Sequence, residues 1–254
     1  MAGNMKDHEA WAEFGDTLRL PIDPATDYVG GIPWEAAGFK PDLPLVDIGP
    51  GSGLTTLALA EQFPDSELIA VEPDAWMRSM LMMRVAERPE LRERTTVVPN
   101  SILDAWMPEQ IGGALLFNVI YFLGGRARQA FWDRMAQVLP EGAPILMSRA
   151  YGVVETGEEM VKSASATMGR NTYERWRQTV PVKDGRVEIT NTYRTVRDGE
   201  IVREVTTRIA PFSLDEELVV SEVPIGKYSI EEIDEKYLVI RRASDIRRRG
   251  RAQG

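Results

Sequence analysis

The chain has 254 residues, 43% hydrophobic and 27% charged, a mixture typical of one soluble globular domain or of one domain with a smaller insertion. It carries no cysteine and one histidine, His8, which excludes disulfides and thiolate metal sites and argues against a zinc site or a Ser-His-Asp triad. The formal net charge of -9 argues against nucleic acid as a partner. We therefore expect no metal and no nucleic-acid partner.

No apolar run reaches the roughly 18 residues that cross a bilayer, and the first residues lack the basic-then-apolar order of a signal peptide. We expect a cytoplasmic protein with no membrane partner. Residues 1–42 are predicted to form an N-terminal helical cap segment. The basic residues of 243–254 are predicted to form a disordered tail, because they follow the last predicted strand and contain no aromatic side chain.

From Leu43 onward, short apolar runs alternate with longer segments of helical spacing, the pattern of a parallel sheet flanked by helices. The first five predicted strands are Leu43–Ile48, Glu67–Val71, Thr95–Val98, Ala114–Asn118 and Pro144–Ser148. The predicted helices between them are Thr55–Phe63, Ala75–Arg88 and Gly125–Leu139. Trp76 and Trp106 are expected to pack in the core or under a cap.

Residues 151–212 interrupt this alternation. They contain a predicted helix rich in small residues, Gly157–Thr167, and two predicted strands, Val187–Val196 and Glu200–Ile209. The dipeptide Asp198-Gly199 between these strands predicts a two-residue hairpin turn, which needs positive φ angles. Strands Lys227–Ile233 and Tyr237–Arg241 then complete the sheet. We thus predict an α/β fold with a seven-stranded, mostly parallel sheet in residues 43–150 and 213–242. A helix-plus-hairpin lid, residues 151–212, is inserted between strands five and six.

Three glycines, Gly49, Gly51 and Gly53, directly follow the first predicted strand. In an open parallel sheet this loop is the usual ligand site, because it joins the carboxyl end of a strand to the amino end of a helix. The spacing differs from the dinucleotide pattern G-x-G-x-x-G, since Leu54 occupies the sixth position, and no Gly-Lys-Ser/Thr follows. The acid Asp47 at the strand end repels a pyrophosphate and suits an ammonium or sulfonium group.

These motifs, with Glu72 closing the second strand, resemble class I S-adenosylmethionine-dependent methyltransferases of the small-molecule type over roughly Leu43 to Arg241. The resemblance implies S-adenosylmethionine as cofactor, and it implies that Glu72 accepts both ribose hydroxyls. The cofactor-binding residues that it implies are Asp47, Gly49, Pro50, Gly51, Gly53, Glu72, Pro73, Asn100, Ser101, Ile102 and Asn118. Replacing Asp47 or Glu72 with alanine is expected to weaken cofactor binding and to leave the fold intact.

Methyl transfer from a sulfonium is an in-line displacement, so the protein mainly aligns the acceptor and excludes water. A hydroxyl acceptor also needs a base. Many family members place a histidine near the end of the fourth motif, where this chain has Tyr121. The base candidates are His8, Asp16, Tyr28, Tyr121 and Tyr151, and the predicted catalytic residues among them are Tyr121, Tyr151 and His8. The predicted substrate-binding residues are Tyr28, Tyr121, Tyr151, Met160 and Trp176.

The expected reaction is methylation of an O or N atom of a small organic molecule, a secondary metabolite. The sequence also leaves open a homodimer contact through the lid or the N-terminal segment, and it does not separate that role from a substrate lid. Two alternatives stay open at this point. One is a methyltransferase-like enzyme that binds S-adenosylmethionine and catalyses a cyclisation or rearrangement. The other is a nicotinamide-dependent oxidoreductase, which the glycine spacing disfavours.

Overall fold

Two β-sheets organise the structure, a computed structural model that describes residues 5–22, 29–149, 157–183, 185–214 and 216–244. The larger sheet contains β1 (Leu45–Ile48), β2 (Leu68–Val71), β3 (Thr95–Val98), β4 (Gly113–Leu116), β5 (Pro144–Ser148), β10 (Tyr228–Glu232) and β11 (Tyr237–Arg242). The smaller sheet contains β6 (Gly157–Met168), β7 (Asn171–Pro181), β8 (Val187–Arg197) and β9 (Glu200–Ile209).

Seven helices accompany these sheets in the described part of the chain. They are α1 (Met5–Phe14), α2 (Trp34–Ala37), α3 (Leu54–Gln62), α4 (Ala75–Ala86), α5 (Pro89–Arg92), α6 (Gly125–Val138) and α7 (Glu216–Glu222). Short 3₁₀ turns cover Thr17–Arg19 and Ile120–Phe122. Among the described residues, none of the helices combines the length and the apolar character that crossing a bilayer requires.

The large sheet has the strand order β10-β11-β5-β4-β1-β2-β3. Strands β1 to β5 pair in parallel, and β11 runs antiparallel to both β5 and β10. The predicted seven-stranded, mostly parallel sheet is confirmed. Strand β1 lies between β4 and β2, the point at which the strand order reverses, and ligands of such sheets bind outside the carboxyl ends of the strands there.

Alternate residues of the central strands enter two separate cores. Val46 and Ile48 belong to the core that contains Phe131 of α6, whereas Leu45 belongs to the core that contains Leu59 of α3. All four residues of β1 are buried, as expected for a parallel strand covered by helices on both faces. This double burial explains why the sequence pattern of these strands was nearly continuous in apolar residues.

The expected burial of Trp76 and Trp106 is wrong. Trp76 is 49% exposed and Trp106 is 58% exposed. On α4 the buried stripe consists of Met77, Leu81 and Val85, at the helical spacing of four residues, and Trp76 lies one position away from it. The sequence was compatible with burial of the helix face that carries Trp76, but the structure buries the face that carries Met77.

The predicted helix over Gly157–Thr167 is also wrong, because these residues form strand β6, paired antiparallel with β7. Alanines suggested a helix, yet Ala164 and Ala166 alternate with serines, which is the period of a strand. Strand β7 was not predicted at all. The insertion, for which we keep the name lid, is therefore a four-stranded antiparallel sheet in the order β6-β7-β8-β9.

The hairpin predicted at Asp198-Gly199 is confirmed. Both residues have positive φ angles, 51° and 83°, and they join β8 to β9. At the other end of this hairpin, the backbone N–H of Phe212 donates to the carbonyl of Tyr121, which follows β4. The lid sheet is thus attached to the large sheet at the carboxyl end of β4.

An ion pair between helices α6 and α7 generates the first prediction. The buried guanidinium of Arg128 donates to both carboxylate oxygens of Glu222, at 2.5 and 2.7 Å, and to the carbonyl of Leu123. We expect Glu222→Ala to lower the free energy of unfolding by about 3 kcal/mol, because it leaves a buried cation without its counter-charge. Urea unfolding monitored by tryptophan fluorescence measures this change.

The matched control is Asp133→Ala, which removes an exposed ion pair with Lys227. We expect this control to change stability by less than about 1 kcal/mol. Equal losses in the two variants would contradict the assignment of a structural role to the buried pair.

Candidate functional site

The glycine loop after β1 adopts a backbone conformation that other residues rarely reach. The φ angles of Gly49, Gly51 and Gly53 are 66°, 60° and 93°, all in the left-handed region. A Cβ at Gly49 would lie 2.5 Å from Cγ2 of Val119, in the loop after β4. The loop therefore presents bare backbone against the neighbouring strand ends, and Gly53 begins α3 as its N-cap residue.

Glu72 joins this loop to the start of α4. Its Oε2 accepts the backbone N–H of Gly51 at 2.9 Å, and its Oε1 accepts the N–H of Asp74 at 2.8 Å. The side chain is only 5% exposed, and burial raises the pKa of Glu72 to about 6, although the two backbone N–H groups oppose that shift. The exposed Pro73 lies between the two acidic residues.

Asp47 lies within β1 and not in a loop, so the expectation that its removal leaves the fold intact needs correction. It is 2% exposed, and its Oδ2 accepts the hydroxyls of Thr55 and Thr56, each at 2.7 Å. Burial raises the pKa of Asp47 to about 6, against these two hydrogen bonds. Both hydrogen bonds end on the same oxygen, which leaves Oδ1 able to accept a ligand's donor.

The remaining predicted cofactor residues surround the same strand ends. Asn118 has a positive φ of 59°, and its N–H donates to the hydroxyl of Ser148 at 3.1 Å. After β3, Asn100 is exposed and Ser101 is half-buried. Ile102 is buried and belongs to the hydrophobic core with the residues of β1 and β4. A part of the predicted adenine-side contacts is therefore core packing in this structure.

Residues 5–19, which we call the N-terminal strap, lie against the glycine loop and α4. Nδ1 of His8 lies 2.9 Å from Oδ2 of Asp74, the residue that caps α4. Further along, Asp16 accepts the hydroxyl of Ser52 at 2.9 Å and forms an ion pair with Arg84 at 2.6 Å. The strap is thus held to the loop and to α4 by side-chain hydrogen bonds at two points.

The strap also contacts the lid. The buried ring of Phe14 stacks on Tyr193 with centroids 5.2 Å apart and meets Tyr173 edge-on at 5.9 Å. Glu13 forms an ion pair with Arg203 at 2.7 Å. We call the lid surface that carries Tyr173 and Tyr193 the inner face. The strap therefore bridges the glycine loop and the inner face of the lid.

The predicted catalytic residues separate in the structure. His8 is on the strap, at the amino end of α4. Tyr121 follows β4 in a 3₁₀ turn, with its ring 4.8 Å from that of Phe122, beside the attachment of the lid. Tyr28 and Tyr151 lie outside the described residues. The structure does not join His8 and Tyr121 by any hydrogen bond.

The predicted substrate residue Trp176 lies on the outer face of the lid, because it is an odd number of positions from Tyr173 along β7. Its ring lies 5.6 Å from Nζ of Lys162 and 5.0 Å from the guanidinium of Arg194, and its Nε1 donates to Glu174. Met160, on β6, is 37% exposed. Sequence alone offered no means of assigning these side chains to a face.

The sequence did not predict that four residues, Asp16, Ser52, Asp74 and Arg84, join the strap to the glycine loop and α4. Asp74 carried a local signal, since an aspartate directly before an apolar-periodic segment indicates a helix N-cap. The pair of Asp16 and Arg84 had none, because the two residues are 68 positions apart. Within the described residues, no cluster of three acidic or histidine side chains forms a metal site.

We compared the chain with known proteins by sequence and by structure. No protein-family model and no curated protein matches this chain. A S-adenosylmethionine-dependent methyltransferase from Clostridium acetobutylicum ATCC 824 has a similar structure, with a TM-score of 0.69 and 14% identity. The match covers 92% of this chain and 100% of that one.

Two further similar structures carry more specific descriptions. KedS8, a sugar N-methyltransferase from Streptoalloteichus sp ATCC 53650, has a TM-score of 0.67 at 15% identity, covering 89% of this chain and 90% of that one. CalS10, an amino pentose methyltransferase from Micromonospora echinaspora solved with S-adenosylmethionine, has a TM-score of 0.66 at 15% identity, covering 94% and 92%. The chain therefore has the fold of class I S-adenosylmethionine-dependent methyltransferases.

Asp47 generates a prediction about stability. We expect Asp47→Ala to lower the free energy of unfolding by about 1–3 kcal/mol, because the buried hydroxyls of Thr55 and Thr56 lose their acceptor. Asp47→Asn keeps an acceptor oxygen and carries no charge, so its loss should be smaller. Urea unfolding of both variants at pH 7 measures the difference, and a larger loss in the asparagine variant would contradict this reasoning.

Proposed function

We propose that this protein is a S-adenosylmethionine-dependent methyltransferase that methylates an O or N atom of a small organic molecule. The observation that carries the proposal is the bridge made by Glu72 between the N–H groups of Gly51 and Asp74. It brings a carboxylate, a bare glycine loop and the start of α4 to the switch point of the sheet. The fold shared with KedS8 and CalS10 supports the same proposal.

The chemistry of these residues suits this cofactor. Each oxygen of Glu72 has a second lone pair, so the carboxylate can accept a pair of ribose hydroxyls. Asp47 Oδ1 suits the ammonium group of an amino acid, and two buried carboxylates disfavour a pyrophosphate. Because Gly51 has no side chain, a ligand can approach its backbone closely. A Cβ at this position would contact only the flexible end of Met77. S-adenosylmethionine, when bound, supplies a methyl group already activated by its sulfonium.

The protein's own work in this proposal is alignment and exclusion of water. The N-terminal strap covers the glycine loop through Asp16 and His8, and Phe14 continues this cover to the lid. Tyr121 lies at the carboxyl end of β4, where an acceptor in this fold is expected. An amine acceptor needs only to lose its proton beforehand, and for a hydroxyl acceptor Tyr121 is the proposed base.

Amino sugars are the first acceptors to assay, because KedS8 and CalS10 are described as sugar N- and amino pentose methyltransferases. Mass spectrometry after incubation with S-adenosylmethionine should show an acceptor heavier by one methyl group, together with S-adenosylhomocysteine. A product of unchanged mass would contradict methyl transfer. The assay should include a matched set of hydroxylated sugars without the amine.

Glu72 provides the test of cofactor binding. We expect Glu72→Gln to weaken S-adenosylmethionine binding by tenfold or more, because an amide replaces one acceptor oxygen by a donor facing N–H groups. The control is Glu67→Gln, an exposed acid just before the opposite end of β2. Isothermal titration calorimetry with S-adenosylmethionine and with NADH measures both variants. Binding of NADH alone by the unmodified protein would refute the proposed function.

The same two carboxylates predict a pH dependence of cofactor affinity. Burial raises the pKa of both Asp47 and Glu72 to about 6 in the free protein. A cationic ligand favours the ionised carboxylates, so affinity should be constant above about pH 7 and should fall as the pH drops through 6. We expect about a tenfold loss at pH 5 for each carboxylate that must ionise.

Calorimetry at pH 5 and pH 7.5 measures this loss, and Asp47→Asn should make it shallower by removing one of the two ionisations. The unliganded protein should show the opposite trend for these groups. Because their folded pKa values exceed the unfolded ones, their contribution to the free energy of unfolding decreases as pH rises from about 4 to 6. An affinity independent of pH would contradict the roles assigned to both acids.

A further inference from the structure

One row of side chains on the inner face of the lid is polar, and two of its three members are buried. Arg177, Asn191 and Thr207 are direct neighbours across β7, β8 and β9. Arg177 lies on the inner face because it is four positions from Tyr173 along β7, and the pairing with β8 has no bulge. Asn191 is 3% exposed and Thr207 is 2% exposed. This row places a cation beside two buried polar side chains, on a face that also carries Arg175 and Arg203.

The row lies between two described contacts of the lid. On one side, Tyr193 packs on Phe14 of the strap. On the other side, β8 and β9 lead to Phe212, whose N–H donates to Tyr121. A ligand held by Arg177 would therefore lie between the strap, which covers the glycine loop, and the carboxyl end of β4. This is the space in which the proposed acceptor belongs.

Arg177 differs in its partners from three other cations of the lid, Lys162, Arg194 and Arg203. Lys162, Arg194 and Arg203 each meet a carboxylate, at 3.0, 2.6 and 2.7 Å. In the described part of the chain, Arg177 makes one side-chain hydrogen bond, from its Nε to Oδ1 of Asn191 at 3.1 Å. The amide positions the guanidinium without neutralising its charge. The N–H groups of Nη1 and Nη2 can therefore still donate to a ligand. A planar fork of this kind matches a carboxylate or a phosphate.

We infer that Arg177, positioned by Asn191, binds an oxyanion of the methyl acceptor, either a carboxylate or a phosphate. The inference rests on the proposed function for the identity of the ligand as an acceptor. It narrows the substrate class to small molecules that carry an anionic group besides the amine or hydroxyl that receives the methyl group. Asn191 is a positioning residue, because it acts through Arg177.

The test uses inorganic phosphate and malonate as probes, titrated calorimetrically into the full chain. We expect Arg177→Gln to weaken binding of the recognised probe by tenfold or more. The matched control is Arg197→Gln, because Arg197 makes the same bond from its Nε to an asparagine, Asn171, at the exposed hairpin end. Asn191→Asp keeps Arg177 but neutralises it, and it should weaken binding of the same probe to a similar extent.

Each outcome decides the inference. Binding of phosphate alone indicates a phosphorylated acceptor, and binding of malonate alone indicates a carboxylated one. Failure of the unmodified protein to bind either probe overturns it, as does an equal loss in Arg177→Gln and Arg197→Gln. Thermal unfolding of each variant shows whether a loss of probe binding is caused by misfolding. If Arg177→Gln is misfolded, probe binding by Asn191→Asp decides the inference.

The same samples separate this inference from the proposed function. Titration with S-adenosylmethionine should give equal affinities for the unmodified protein and for Arg177→Gln, because Arg177 is on the lid. If the unmodified protein does not bind S-adenosylmethionine, the proposed function fails whatever the anion result. If it does, an anion affinity unchanged by Arg177→Gln overturns only the acceptor class.

Discussion

The carboxylate of Glu72 is the contact on which the geometry of the site depends. Gly51 belongs to the loop between β1 and α3, and Asp74 is the N-cap residue of α4, so one side chain hydrogen-bonds to both segments. The carboxylate does this while buried, which is why its pKa rises to about 6. Keeping this carboxylate ionised while it is buried therefore costs free energy of folding. Asp47 is likewise a buried carboxylate that accepts two hydrogen bonds, here from the hydroxyls of Thr55 and Thr56 in α3.

The large sheet could be predicted from sequence because its central strands are buried on both faces, which leaves short apolar runs such as Leu45–Ile48 that have few alternatives. The hairpin at Asp198-Gly199 could be predicted because its turn demands positive φ angles. Strand β6 could not, since an exposed edge strand of serines and alanines lacks an apolar pattern of its own. Its strand conformation depends on pairing with β7, which is a tertiary contact.

The cofactor side of the candidate site was encoded locally, in the glycines and in an acid at each strand end. The face on which each lid side chain lies was not, because it depends on the register of the lid strands. Trp176 and Arg177 are neighbours in sequence, yet the first meets cations on the outer face and the second meets Asn191 on the inner face. A shift of one residue in the register of β7 exchanges the two faces. Aromatic character alone therefore does not indicate which member of this pair lies on the inner face.

The placement of Phe14 has a consequence for the coupling between the glycine loop and the lid. Its ring packs on Tyr193 of the lid, while the same short segment holds the glycine loop through Asp16 and α4 through His8. Any displacement of the strap as a unit therefore alters the cover of the glycine loop and the packing of the lid at the same time.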